Sequence, residues 1–535
     1  MNNPIAGPGS ARGQQLDVDG LLGGATMGAL IVDALERFPN SCAFRSAHGD
    51  TTYRALAEQI GQALALFRTL GLRRGDVIAQ LSGNRAQVYA VIAAAYIGGY
   101  CSTTLHAMGS REDHLFILQD SGAQILVTDA AHAARGRDME ASIDGLTWFS
   151  HEVAEDTPCF WSLAADTRPD PLEPVGTSED IIRLAYTGGT TGVPKGVMLS
   201  NRALVTNTLL ALAGMEWPED IRFLCPTPIS HGAGSMILPT LLRGGTFVLQ
   251  SGFNPSAVLE AISRERISVT FLVPTMVYAL LDHPACDATD FSSLHTLLYG
   301  AAPMSPTRIA EAIRRIGPVL CQGYGQTEAP NTILVLARED HLAAATDRLS
   351  SAGRPYPGLD VRLLDDENRE VPRGEVGELC VRGPLLMSGY WKRPDLTDEA
   401  FRGGCLHTGD MARKDADGFY YLVDRKRDLI ISGGFNVFPG EVEKVLTEHP
   451  AVAAAAVIGV PDEKWGEAVK AAVVLRDGQS VSPGELIRFV RDRKGPVNTP
   501  KSVDFLDALP VTALGKPDKK ALRARYWADQ SRNIN

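Results

Sequence analysis

Apolar and polar positions along this 535-residue chain follow two alternating periods. Between Tyr53 and Leu70, Leu56, Ile60, Leu64 and Phe67 recur every three or four residues and stop at Gly71, which predicts an amphipathic helix. Asp76 to Leu81 and Ala123 to Thr128 are short apolar runs that read as strands. Val88 to Ile97 and His114 to Gln119 read as the helices between them. The alternation continues through a strand at Ile181 to Tyr186 and a helix at Asn201 to Ala213. Further strands are predicted at Phe223-Leu224-Cys225, Thr246 to Leu249, Val269 to Val273, Thr296 to Tyr299 and Val319-Leu320-Cys321. The third of these breaks at Pro274-Thr275-Met276, read as a loop. Strands alternating with helices imply a mainly parallel sheet covered on both faces.

From about Ser350 the pattern shortens to β runs punctuated by Gly and Pro, at Val361 to Leu364, Gly377 to Val381 and Phe419 to Val423. These predict a small antiparallel, barrel-like part. The charged run Asp424-Arg425-Lys426-Arg427-Asp428 reads as a hinge, and a compact α+β module follows it. The expected architecture is therefore α/β, with a large N-terminal domain over 1–426 and a small C-terminal domain over 427–535.

Composition narrows the class. With 44% hydrophobic and 21% charged residues, this is an ordinary globular chain, too long for one core. A net charge of −11 and no basic stripe interleaved with aromatics argue against a nucleic-acid surface. The eight cysteines are scattered, with no Cys-x-x-Cys pair and no histidine cluster at ligand spacing, so a reducing compartment fits and structural zinc does not. Met1 to Gln15 lacks an apolar core and reads as a loose tail rather than a signal peptide. Val88 to Tyr100, the most apolar stretch, is too short to span a bilayer. A cytoplasmic protein with no stable membrane insertion is expected.

The densest chemistry lies at Thr187-Gly188-Gly189-Thr190-Thr191-Gly192-Val193-Pro194-Lys195-Gly196, directly after a predicted strand. Consecutive N–H groups in a glycine-rich turn make a concave anion site, and threonine hydroxyls and a lysine add donors. Phosphate is the natural ligand. No Gly-Lys-Ser/Thr triplet opens a helix here, so this is not a Walker A loop.

Four more motifs follow in order: Tyr324-Gly325-Gln326-Thr327-Glu328, His407-Thr408-Gly409-Asp410, Asp424-Arg425 with Ser432-Gly433-Gly434, and Gly515-Lys516. Together with the glycine loop they give the chain, from about residue 50 to 525, a resemblance to the adenylate-forming superfamily of acyl-CoA synthetases, 4-coumarate–CoA ligases, luciferases and peptide-synthetase adenylation domains. The resemblance implies ATP, Mg²⁺ and coenzyme A as cofactors and a small carboxylic acid as substrate. Hydroxide is a poor leaving group, whereas AMP on an acyl-adenylate can be displaced by a thiol.

By resemblance, Thr187, Gly188, Gly189, Thr190, Thr191, Gly192 and Lys195 would hold the triphosphate and the departing pyrophosphate, with Thr187 among the catalytic groups. Glu328 would bind Mg²⁺, as carboxylate oxygen suits a hard cation. Thr327 would contact the α-phosphate, Tyr324 would stack on adenine beside Gly325, and Gly300, Ala301 and Ala302 would line the base. Asp410 would accept from the ribose hydroxyls, with Arg425 close by. Lys516 would stabilise the charge that develops between carboxylate and α-phosphate; Lys519 and Lys520 lie near it, and only the resemblance selects among the three. Arg427 matches the hinge about which the small domain rotates between half-reactions, and Gly433, Gly434 and Asn436 would line the pantetheine tunnel.

His231 matches an aromatic position beside the substrate carboxylate. Gly232 stands where amino-acid-activating relatives carry an aspartate, which speaks against an amino-acid substrate. Gly232, Ala233 and Gly234, with Ala301 and Gly323, would leave room for a bulky aryl, polycyclic or medium-to-long-chain acid. Two alternatives stay open at this level: a stand-alone adenylating enzyme that loads a carrier protein, and a nucleotide-binding module without chemistry. A homodimer is the candidate assembly.

Overall fold

The computed structural model describes residues 25–153, 157–187, 194–342, 348–425, 428–432, 435–462, 465–511 and 517–526. Four sheets organise the described residues. In the first, strands lie in the order Gly389–Tyr390, Lys195–Ser200, Ile181–Thr187, Cys101–Thr104, Val77–Leu81, Ala123–Thr128 and Thr147–Ser150. The nine-stranded second sheet runs from Arg354–Pro355 through Ala329–Leu336, Leu320–Gln326, Thr296–Gly300, Val269–Leu272, Arg222–Cys225, Thr246–Leu249 and Cys42–Ser46 to Gly49–Thr52. Their central pairs are parallel, as strand–helix alternation predicts, and antiparallel strands are confined to the edges.

The alternation of side chains shows that both sheets are covered on two faces. Along Val77–Leu81, Ile78 joins the core shared by the two large sheets, whereas Val77, Ala79 and Leu81 join the core on the opposite face. The shared core also holds Phe44, Phe223 and Phe247 from the nine-stranded sheet. The helix Ala86–Ile97 belongs to it and is buried almost all round, which is why its sequence shows little amphipathic contrast. Tyr53–Thr69 is the amphipathic helix expected, with Leu56, Ile60, Leu64 and Phe67 buried and the Thr52 hydroxyl capping Ala55 N–H at 3.1 Å.

Two expectations need correction. Pro274-Thr275-Met276 is not a loop: it opens the helix Pro274–Asp282, where proline at the first turn lacks only an N–H that has no helical partner anyway. The strand at Leu320 does not stop at Cys321 but runs through the polar motif to Gln326, paired with Ala329–Leu336. The small β part is a four-stranded antiparallel sheet, ordered Asp360–Leu364, Val376–Arg382, Leu406–Lys414, Tyr420–Arg425. Beyond it, Ile430–Ser432, Phe435–Val437, Val452–Asp462, Gly466–Leu475 and Ser502–Phe505 form the fourth sheet. Helices Pro439–Thr447 and Pro483–Lys494 pack on it through a separate core that includes Val442, Leu446, Leu486 and Val490. Among the described residues no helix is long and apolar enough to cross a membrane.

Candidate active site

The strands that flank the expected anion-binding stretch, Ile181–Thr187 and Lys195–Ser200, pair antiparallel in one hairpin, with Thr187 opposite Lys195. Gly188, Gly189, Thr190, Thr191 and Gly192 lie outside the described residues, but the two residues that close the hairpin are placed. Tyr390 reaches it because Gly389–Tyr390 adds to the sheet edge, Tyr390 opposite Val197. Lys195 Nζ lies 5.4 Å from the centre of the Tyr390 ring, within cation–π range.

The second component is a two-residue turn. Gln326 pairs with Ala329, which leaves Thr327 and Glu328 as the projecting corner of a hairpin. Met387 N–H donates to Glu328 O at 2.8 Å, and the Tyr390 hydroxyl donates to Glu328 Oε1 at 2.8 Å. Burial, and then the Glu328 charge, hold the Tyr390 phenol above its usual range, so it remains a donor. Tyr390 thus joins the corner carboxylate to Lys195. Sequence reading missed it, because Gly-Tyr-Trp in an edge segment has no period that marks it.

Tyr324 and Asp410, expected to serve base and ribose separately, are in direct contact: the Tyr324 hydroxyl donates to Asp410 Oδ2 at 2.6 Å. Gln326 Nε2 donates to Thr408 O at 3.3 Å, so the second sheet and the four-stranded sheet meet along this motif. Asp410 is nearly buried, and its N–H donates to Thr408 Oγ1 at 3.1 Å. Arg425 stands opposite Asp410 in register, at the end of its strand. Gly300 is required by packing. A Cβ there would lie 2.4 Å from Gly323 O on the neighbouring parallel strand. Ala301 follows at φ +66°, so the chain turns sharply away from the strand end at the expected base-lining segment.

His231 lies just before the short 3₁₀ turn Gly232–Met236 and stacks on His106, with ring centroids 4.9 Å apart. Its Nε2 is buried without a hydrogen-bond partner among the described residues. Burial, with His106 and Arg183 adding to it, lowers its pKa from 6.5 to about 4, so it is neutral at physiological pH. Asn331 Nδ2 donates to Ser235 Oγ at 2.8 Å, and Ser235 Oγ donates to Gly232 O at 2.6 Å. His106, Ser235 and Asn331 had no motif to announce them. At Gly234 a Cβ would sit 1.9 Å from Ile229 O, so the tight turn itself requires glycine there. Ala233 is buried in the shared core. At Gly232 a Cβ would meet Asn331 Oδ1 at 3.4 Å, so this position takes a side-chain atom without a clash.

The neutral histidines give a pH prediction. His151 Nδ1 accepts from Trp161 Nε1–H at 3.0 Å, and burial, with Arg85, lowers its pKa to about 3. For both His151 and His231 the folded pKa lies below the ordinary 6.5, so between these values only the unfolded chain takes up the proton. Their stabilising contribution is complete above about pH 6.5 and declines as pH falls toward 4. Denaturant unfolding at pH 7 and pH 5 should show a loss on acidification, and His231→Asn should remove about 2 kcal/mol of that loss. An unchanged slope in the variant contradicts the assignment.

In the C-terminal unit, Asn436 lies on Phe435–Val437 opposite Ile431. Gly433, Gly434, Arg427 and Lys516 lie outside the described residues. Asp424 Oδ2 accepts from Gly440 N–H at 2.7 Å, tying the end of the last barrel-like strand to the first turn of Pro439–Thr447.

Comparison with known proteins identifies the family. The pattern of the AMP-binding enzyme family matches residues 31–391, and that of the AMP-binding enzyme C-terminal domain matches 441–516. A medium/long-chain-fatty-acid–CoA ligase of Mycobacterium tuberculosis is 45% identical, covering 95% of this chain and 91% of its own. A feruloyl-CoA synthase of Amycolatopsis sp is 41% identical over 91% of this chain and 96% of its own. The solved amide bond synthetase of Marinactinospora thermotolerans superposes with a TM-score of 0.88 at 36% identity, over 93% of this chain and 99% of that one. The chain belongs to the AMP-binding enzyme family.

Proposed function

We propose that this protein is an ATP-dependent carboxylic acid–CoA ligase. It joins an acid to AMP with release of pyrophosphate, and then exchanges AMP for the thiol of coenzyme A. The observation that carries the reading is the convergence of three distant segments: Lys195 opposite Thr187, the Thr327–Glu328 corner, and Tyr390, whose ring faces Lys195 and whose hydroxyl binds Glu328. The Tyr324–Asp410 contact lies on the same strand that leads into that corner. Such a site presents cations and N–H donors to phosphates, an acceptor to ribose and a carboxylate to a hard metal ion.

In this reading the hairpin and Lys195 bind the β- and γ-phosphates, Thr327 contacts the α-phosphate, and Asp410 with Arg425 holds the ribose. The neutral His231 lies beside the acid without adding a competing charge. The Glu328 carboxylate, an oxygen donor fixed from behind by Tyr390, fits Mg²⁺. When bound, that ion would neutralise phosphate charge. Tyr390→Phe keeps the ring under Lys195 and removes only the donor to Glu328. It should lower kcat/KM for ATP about tenfold, as loss of a charge-assisted hydrogen bond would, and leave KM for CoA unchanged. Initial rates at several Mg²⁺ concentrations check this.

The acid is a bulky aryl, polycyclic or medium-to-long-chain one without an α-amine. The absence of an acidic side chain at Gly232 and the family's fatty- and aryl-acid relatives support this. Coenzyme A as acceptor is supported by the two curated relatives, both thioester-forming by name. The chain divides at about residue 426, with Arg427 as pivot; the two family matches fall on either side, and each part has its own core. A cytoplasmic location is supported by eight free cysteines, and a homodimer is the assembly that sedimentation would test. A pyrophosphate-release screen over aliphatic, aryl and polycyclic acids, followed by mass detection of CoA thioesters, tests the whole. Acid-dependent pyrophosphate with thioester formed from free CoA is expected. Pyrophosphate without thioester would move the acceptor to a carrier protein.

A further inference from the structure

The four-stranded sheet carries a group of soft donors that the ligase reading does not use. Cys380 stands opposite His407 across the antiparallel pair Val376–Arg382 and Leu406–Lys414, and Cys405 lies two residues before His407, on the same face by period two. Along the chain Cys380 and Cys405 are 25 residues apart, so no ligand spacing announces them. In the fold, one donor atom from each of the three residues lies within 4.8 Å of the other two. Cys380 Sγ is 3.3 Å from His407 Nδ1, and Cys405 Sγ is 3.9 Å from His407 Nε2. Both thiols and the imidazole are buried, with His407's side chain only 3% exposed.

We propose that Cys380, Cys405 and His407 form a binding site for a soft divalent metal ion of the zinc class, separate from the Mg²⁺ position at Glu328. Two thiolates and an imidazole are the donors such an ion prefers, and a solvent molecule can complete four-coordination. Tetrahedral coordination places such donors ~3.5–3.8 Å apart, so the group needs only a small contraction. Two thiolate charges would balance the ion, and a buried site of no net charge results. The neighbouring carboxylate is already neutralised: Glu378 Oε2 accepts from Arg402 Nη2 at 2.7 Å.

The surroundings resemble a prepared second layer. His407 Nδ1 is 3.0 Å from Glu378 Oε2, and Nε2 is 3.1 Å from Arg402 O, so one nitrogen stays anchored while the other turns to the metal. Glu378 Oε1 also accepts from Gly409 N–H at 3.1 Å, next to Asp410. The site would therefore brace the Thr408–Asp410 turn from behind. A disulfide is the competing use of two cysteines. A disulfide would leave His407 out, whereas a metal ion uses all three donors.

The test uses the full-length protein, prepared under reducing conditions, stripped with a chelator and titrated separately with Zn²⁺ and Co²⁺. The proposal expects about one ion per chain and, with Co²⁺, an intense sulfur-to-cobalt charge-transfer band. That band should be lost in Cys380→Ser and Cys405→Ser and kept in Cys286→Ser. Because either serine variant could fail to fold, alkylation of the wild-type thiols is mapped by mass spectrometry with and without Zn²⁺. Selective protection of Cys380 and Cys405 supports the site. Equal alkylation of both at saturating Zn²⁺, or a cobalt band that survives both substitutions, overturns it.

Discussion

Lys516→Ala is expected to slow adenylate formation by about a hundred- to a thousand-fold, the usual cost of removing one donor to charge that develops in a transition state. Thioester formation from preformed acyl-adenylate should continue near the wild-type rate, since the α-phosphate is then a leaving group and no longer an electrophile. The carboxyl-terminal segment holds three lysines close together, and the fold accounts for two of them. Lys519 Nζ is 2.8 Å from Glu443 Oε1 in a mostly buried pair, so its charge is committed to structure. Lys520, exposed at the start of the helix Lys519–Ala524, is turned to solvent. On either side of Lys516, Val511 and Pro517 form a bridge, reinforced by Asp518 N–H donating to Pro510 O at 2.7 Å. Single-turnover assays of the two half-reactions separate these roles, and adenylation at the wild-type rate would sink the assignment.

Lys519→Met should have the opposite signature: a large loss of stability with chemistry intact in whatever remains folded. Burial pulls the Lys519 ammonium toward neutrality, but Glu443, Asp424 and Asp428 more than offset it and hold its pKa above the ordinary lysine value. Glu443 also accepts from Val457 N–H at 2.7 Å, so it is fixed in place whether or not the lysine is present. Removing the lysine leaves that carboxylate without its cation, at a cost of about 3 kcal/mol, limited by the option of protonating Glu443. Lys519→Met combined with Glu443→Gln should recover most of the loss, because glutamine still accepts from Val457. If the double variant unfolds as easily as the single one, the buried charge is not the cause.

Much of the fold was legible because burial imposes a period. Tyr53–Thr69 and Ala123–Thr128 could be placed from spacing alone, and strand–helix alternation predicted the parallel sheets. What escaped was pairing between distant segments. Nothing around Lys195–Ser200 or Gly389–Tyr390 says that these short runs pair with each other, yet that pairing delivers Tyr390 to Lys195. The Thr327–Glu328 corner was visible as a motif but not as a hairpin, since its strand continues through polar residues that usually mark a loop. Pro274 misled for a related reason: one residue type breaks a strand and begins a helix. The Gly234 turn and the Cys380–Cys405–His407 group depend on which backbone lies opposite, and register is not written in local composition.

The central claim is that an acyl-adenylate forms before any thiol takes part. Exchange of labelled pyrophosphate into ATP, measured with an accepted acid, Mg²⁺ and no CoA, tests it most directly. The account predicts exchange that requires the acid, proceeds without CoA and falls with Lys516→Ala. Exchange that appears only when CoA is added, or ADP and phosphate as the products, would contradict it.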